Sequence, residues 1–568
     1  MRRAVLSAVL LLLVGGLGSP PGLQAQVFHP DDPVQVDPDR RALSTTPEAW
    51  PLSNYYDYLK NAAAEPGRKG GAAMNINTLG EVPRSSWYTP RHFYDPMSEA
   101  ELRRGPNKDN APDTSTVWQV VDGKTEGKST GFQIADADGD RYLLKFDKRD
   151  HVELSSGAEV VVTHLLYALG YHVPQNYPVR FHRDRLEPKP GATYVSASGE
   201  ERRITQRVIS RFLRDRHRYK DGTYRAVASL FLEGTPLGPF QYAGTRPDDP
   251  NDIFPHEMRR ELRGLRLISA WLNHDDARGA NSLNMLVEED GRRYVRHYLL
   301  DFGSTLGGGP GGPKRLWYGH EHILEPDRIF LSSLTLGFAG RSWRKYDAPD
   351  IPAVGTFNAK YFNPKEWRPQ YYNPAFRNMT ADDAFWAAKQ IANFTRSEIR
   401  TIVETGDYSH QATVEYLTRV LVERRDKIAR AYLKHGGGLG RFAVEQGRLT
   451  FENFLDHPAF EKRTYTRTSV TWHRFDNQQG RRTGLLDSTS TMSRRVSLPE
   501  TTDPYIVAVL HRPDVGPGTT EVFLRRTDEG REVVGIRRSA DGLPDTTPQW
   551  TVIPEDLRTA SRPATASP

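Results

Sequence analysis

Asn273-His274-Asp275-Asp276-Ala277-Arg278-Gly279-Ala280-Asn281, then a hairpin, then Leu299-Leu300-Asp301-Phe302-Gly303, is the stretch that decides the fold. An Asp followed five residues later by an Asn, and then by Asp-Phe-Gly closing an apolar strand, is the pattern that metal-assisted phosphoryl transfer requires. One carboxylate takes the acceptor's proton, here Asp276. A carboxamide and a second carboxylate, Asn281 and Asp301, hold a hard divalent cation through oxygen. Asp-rich loops and Asp-Gly turns are common, so each half of the pattern alone carries little; what precedes them matters.

Upstream, apolar residues at Met258, Leu262, Leu265, Ile268 and Leu272 predict a helix that delivers the loop. Strands are expected at Val117 to Asp122, Gly131 to Ala135, Arg141 to Phe146, Tyr177 to His182 and Ala226 to Gly234. Between the first two lies Gly123-Lys124-Thr125-Glu126-Gly127-Lys128-Ser129-Thr130-Gly131. Its glycines allow backbone N–H groups to approach a phosphate, although the same residues also suit a hairpin tip. Asp136, Asp138 and Asp140 lack the Gly and Glu positions of a calcium loop and read as a turn. Apolar spacing from Val160 to Leu169 predicts a helix with Glu159 in its first turn. Ser156 and Glu159 also fit a capping box, which needs no active site. Arg183 to Arg225 reads as polar and irregular.

In this order the elements resemble the protein-kinase-like superfamily, and its atypical branch (HipA-type, lipid-kinase-related and secreted Golgi-type kinases) more than eukaryotic protein kinases, since GxGxxG is missing. His274-Asp275-Asp276 falls in the HRD register, with Asp275 where Arg is usual, so regulation by an activation-loop phosphate of the usual kind is not expected. The resemblance covers roughly Trp118 to Gly303. It implies an α+β, two-lobed kinase-like fold with an antiparallel N-lobe and a mainly helical C-lobe. It also implies ATP with Mg2+ or Mn2+ as cofactor. Lys145 would contact the nucleotide phosphates beside Lys124, Gly127, Lys128 and Gly131. Glu159 would pair with Lys145, with Glu153 as the alternative partner, and Arg278 would steady the transferred phosphoryl.

After Gly303, Ser304 to Pro313 is mostly Gly and reads as a mobile segment, a gating loop or a linker. His320 and His322 have no third ligand at a sensible spacing and read as packing residues. Helices are expected at Ala381 to Phe394, Ser397 to Glu404 and Thr413 to Lys434. Strands at Thr466 to Phe475, Tyr505 to His511, Glu521 to Thr527 and Glu532 to Arg538 predict an additional C-terminal antiparallel β domain, sandwich-like.

The expected division is a signal peptide at 1–25, an irregular arm at 26–115, an N-lobe at 116–235, a C-lobe at 236–440, a β domain at 441–557 and a disordered tail at 558–568. Met1-Arg2-Arg3 and the apolar run to Gly18 have the form of a secretory signal. With no Cys in 568 residues, neither disulfides nor a lipidated N-terminal Cys is available. A secreted or periplasmic bacterial protein is expected, without a later membrane span. The net charge of +6, from 77 basic and 71 acidic residues, is scattered, which argues against a nucleic-acid partner. Two functions follow as expectations: an exported phosphotransferase acting on an unidentified protein, glycan, lipid or small-molecule hydroxyl, or an inactive scaffold that keeps the fold.

Overall fold

In a computed structural model of the chain, the structure describes residues 26–50, 71–123, 131–196, 199–322, 342–346, 348–460 and 467–539. The expected signal peptide and C-terminal tail lie outside these residues. The described chain mixes α-helices with several largely antiparallel sheets.

The first sheet has six strands. They are β1 (Trp118–Gly123), β2 (Gly131–Ala135), β3 (Arg141–Lys145), β4 (Asn176–His182), β5 (Leu186–Pro188) and β8 (Thr223–Leu230), in the order β4-β8-β3-β2-β1-β5. Only β1 and β5 run parallel. The turn at Asp136 to Asp140 joins β2 to β3, with the Asp136 carboxylate accepting from the Asp138 and Asp140 amides. Alternate residues Trp118, Val120, Ile134, Tyr142 and Leu144 fill one face. A separate hairpin, β6 (Thr193–Val195) with β7 (Glu201–Arg203), follows β5.

Among the described residues the chain forms eight α-helices, α1 (Glu99–Arg104), α2 (Leu154–Ala168), α3 (Gln206–Arg214), α4 (Arg260–Leu272), α5 (Pro374–Arg377), α6 (Ala381–Asn393), α7 (Arg396–Glu404) and α8 (Gln411–Tyr432). The helix α3 corrects the expectation of irregular chain over Arg183 to Arg225. Ile209 and Leu213, four residues apart, enter the core of the six-stranded sheet, while Arg207, Arg211 and Arg214 stay outside and mask the apolar spacing. Helices α2, α4, α6, α7 and α8 share a large core that includes Trp271 and Trp386, and Trp87 and Tyr88 of the N-terminal arm enter it too. The pairing of β9 (Thr235–Pro236), β10 (Ser282–Glu289) and β11 (Arg292–Leu299) forms a small sheet beside it.

At the C-terminal end, β12 (Leu439–Glu445), β13 (Arg448–Asn453) and β16 (Arg495–Ser497) form a three-stranded sheet. The strands β14 (Thr468–Asp476), β15 (Arg481–Thr491), β17 (Tyr505–His511), β18 (Thr519–Thr527) and β19 (Gly530–Ser539) form a five-stranded one. Leu449, Val470, Trp472, Ile506 and Val522 draw both into one core. β15 escaped the sequence reading because most of its residues are polar and exposed, and even Leu485 faces solvent. The other face of the large sheet is covered by the arm, where Phe28 is fully buried against Phe475 and Phe523.

Candidate functional site

Lys145 ends β3, directly opposite Gly131 of β2. Its ammonium lies 2.9 Å from Glu159 Oε1 and 3.1 Å from Asp301 Oδ1. Burial works against the charge, but the two carboxylates outweigh it and hold the ammonium above the ordinary lysine range. Glu159 is buried within α2, and its second oxygen accepts from the Gly303 amide at 2.6 Å. One glutamate therefore ties β3 to the Asp301-Phe302-Gly303 turn.

The placement of Glu159 depends on where α2 starts. It begins at Leu154, so Ser156 lies inside the first turn and the expected capping box does not form. The cap comes from outside the helix. Asp147 accepts from the amides of Glu153, Ser155 and Ser156 at 2.8 to 2.9 Å, satisfying donors that a helix start leaves open. Glu153, the alternative partner for Lys145, turns away in a left-handed conformation, φ 66°. It accepts instead from Tyr219 and from the Ser409 amide.

The second wall comes from the loop after α4. Asn273 closes that helix in the left-handed region, φ 51°, and the His274 amide returns to the Ser269 carbonyl. Asn281 Nδ2 donates to the Asp276 carbonyl at 2.8 Å, and the Leu300 amide donates to the Asn281 carbonyl at 2.9 Å. These bonds join the Asp276 loop to the segment that carries Asp301. Asp301 itself stands at φ 61°, two residues beyond the end of β11, with Phe302 fully buried behind it. Arg278 pairs with Asp276 at 2.9 Å and lies over the Tyr371 ring. Burial raises the Asp276 carboxyl above its usual range, against the pull of Arg278 and Lys314.

A cleft of about 650 Å³ opens between the six-stranded sheet and these loops. Leu143, Val227 and Lys145 line it on the sheet side, and Asp276, Arg278, Asn281 and Asp301 on the other. Lys124, Gly127 and Lys128, expected near the phosphates, lie outside the described residues. The donor set suits a hard cation: Asp301 and Asn281 both offer oxygen, and Asp301 is half exposed to the cleft. Among the described residues no group of three His, Cys, Asp or Glu side chains is arranged to hold a metal by itself. His320 stacks on Trp343, and His322 donates from Nδ1 to the Pro369 carbonyl at 2.7 Å while stacking on Tyr372, as packing residues do.

The sequence reading missed Lys314 and Asp147. Lys314 sits at the end of the Gly-rich run, and its ammonium pairs with the fully buried Asp275. Within that run Gly307 and Gly308 are closely packed, and a Cβ on Gly307, φ +78°, would lie 2.4 Å from the Thr356 carbonyl carbon, whereas Gly311 has open space around it.

No family model matches the chain, and no curated protein matches it. Among solved structures it is similar to one described as the crystal structure of the golgi casein kinase, at 9% identity and a TM-score of 0.28, over 72% of this chain and 96% of that one. So loose an overlap at so low an identity decides neither fold nor activity. Among the described residues, no helix is long and apolar enough to cross a membrane.

Proposed function

We propose that the chain has a two-lobed kinase-like fold and is an ATP-dependent phosphotransferase acting on a hydroxyl acceptor. The observation that carries this reading is the convergence of Lys145, Glu159, Asp276, Asn281 and Asp301, from four separated segments, on one cleft. Lys145 seats the nucleotide phosphates, and Glu159 keeps its ammonium aimed into the cleft. Asn281 and Asp301 would hold Mg2+ or Mn2+, which when bound offsets charge on the phosphates. Asp276 orients the acceptor hydroxyl and takes its proton as the acceptor oxygen bonds to the γ-phosphorus and the bond to the leaving diphosphate breaks. Arg278 lies where it can steady the transferred group. Most of the rate gain then comes from position and charge complementarity. The signal-peptide form of the N-terminus suggests export, and the acceptor could be protein, glycan, lipid or small molecule.

A nucleotide-binding scaffold without transfer is the second reading. It is favoured by the Arg278 to Asp276 ion pair, which occupies one oxygen of the expected base. Two measurements separate the readings. Mg-ATP should raise the melting temperature of wild type and not of Asp301→Ala, since a ligand of the native state stabilises it by mass action. Labelled phosphate should pass to an acceptor, or to water, with wild type and not with Asp276→Ala. The absence of any Mg-ATP shift in wild type would end both readings, and a shift without transfer would leave the scaffold.

A further inference from the structure

Asp275 and Lys314 are not used in the chemistry above, yet they form the most deeply buried ion pair at the cleft. The Asp275 side chain has no exposure and that of Lys314 has 8%. Asp275 immediately precedes Asp276, and Lys314 lies thirteen positions beyond Asp301. The same ammonium donates to the Ser304 carbonyl at 2.6 Å, one residue past Gly303. One cation therefore bridges the loop of the expected base and the segment of the expected metal ligand.

The chain around the pair is tied down on each side. The Lys314 amide donates to the Gly307 carbonyl at 2.9 Å, and the Leu306 amide donates to the Leu272 carbonyl, at the end of α4, at 2.9 Å. The Asp275 carbonyl accepts from the Gln370 amide at 2.7 Å. In phosphotransferases whose corresponding segment is ordered by phosphorylation, an arginine grips an added phosphate. Here the signs are reversed: the loop supplies the anion and the segment supplies its own cation. Burial makes the arrangement permanent, because losing either partner leaves an uncompensated charge in a poorly solvated place.

We infer that Asp275 and Lys314 are positioning residues that hold the Asp276 loop and the Asp301 segment in their working relation without any added phosphate. The inference deepens the phosphotransferase reading and rests on it for its catalytic part. Lys314 lines the cleft, but its ammonium is engaged by Asp275 and the Ser304 carbonyl, and Asp275 is fully buried. Their effect should appear in turnover and in loop order, with nucleotide affinity spared.

The test compares wild type with Lys314→Met, Lys314→Arg, Asp275→Asn and the Asp275→Asn/Lys314→Met double variant. Mg-ATP hydrolysis at saturation, Mg-ATP Kd, and hydrogen exchange of residues 301–314 without nucleotide are read for each. Lys314→Met should hydrolyse at least tenfold more slowly with Kd within threefold of wild type, and its 301–314 amides should exchange at least tenfold faster. Lys314→Arg should stay near wild type in all three. The double variant should be no worse than the worse single one, because it removes both buried charges together. Wild-type exchange rates in 301–314 of Lys314→Met would overturn the inference whatever the turnover. Should Lys314→Met fail to fold, Asp275→Asn, which keeps the shape of the partner, carries the same exchange comparison. If wild type neither binds nor hydrolyses Mg-ATP, the phosphotransferase reading fails, and exchange still decides whether the pair orders the loops.

Discussion

Lys145 stands between two carboxylates of very different exposure: the Glu159 side chain is 2% exposed and that of Asp301 is 49%. Glu159 is the fixed partner, because its other oxygen is occupied by the Gly303 amide and it has nowhere else to turn. Asp301 faces the cleft and can exchange the lysine for another cation. Lys145→Met should therefore act twice. It leaves a buried glutamate short of its cation, at a cost of about 3 kcal/mol in unfolding free energy, read by urea denaturation. It should also abolish the Mg-ATP thermal shift. An unchanged urea midpoint would mean that the pair contributes nothing to the fold.

At the scale of elements, α2 decides whether Glu159 meets Lys145 at all. Its first turn is fastened by Asp147, whose carboxylate accepts three backbone amides and the Ser156 hydroxyl. Arg225 of β8 donates to the same hydroxyl and to the Gly406 carbonyl between α7 and α8, so the helix start is joined to both the sheet and the helical core. Asp147→Ala should cost about 2 kcal/mol, the upper end for loss of an N-cap. It should also speed hydrogen exchange at residues 153–157 before that of the rest of α2, as mass spectrometry would resolve. Uniform exchange along the helix would show that the cap does not govern its start. Ser156 and Glu159 have the spacing of a cap, yet the capping residue lies nine positions before Ser156. Local spacing cannot show that the chain turns back there.

On the scale of the whole molecule, the N-terminal arm is built into the body through buried charge. Asp37 and Asp39 lie beside Arg259 at the start of α4, and Asp39 accepts from the Ser86 amide and hydroxyl. Burial, followed by the charge of Asp39, pushes the Asp37 carboxyl from its ordinary 3.8 up to about 8. Between those values the unfolded chain has released the proton and the fold retains it, so stability falls as pH rises from about 4 to 8. Asp37→Asn removes this contribution. Its urea midpoint relative to wild type should be higher at pH 8 than at pH 5, and parallel pH profiles for the two proteins would contradict the assignment. The arm also explains why α4 is buried almost all round. Its charged side is covered as well, with Arg260 and Arg263 on Asp383 of α6 and Glu261 on Asn75.

Periodicity and spacing, read along the chain, were enough to indicate the mixed α and β content, the longer helices and many of the strands, and the candidates Asp276, Asn281 and Asp301, while Lys145 was implied by the resemblance. Those features are local: an apolar repeat specifies which face is buried, and an Asp-x4-Asn spacing specifies one loop. The tertiary structure alone decided that Lys145 meets Glu159 and not Glu153, that Asp147 caps α2, that Lys314 neutralises Asp275, and that α3 is a helix beneath its arginines. Each of these is a contact between segments that no sequence window joins. Its energy depends on burial and on the neutralising partner, and both exist only after the chain has folded.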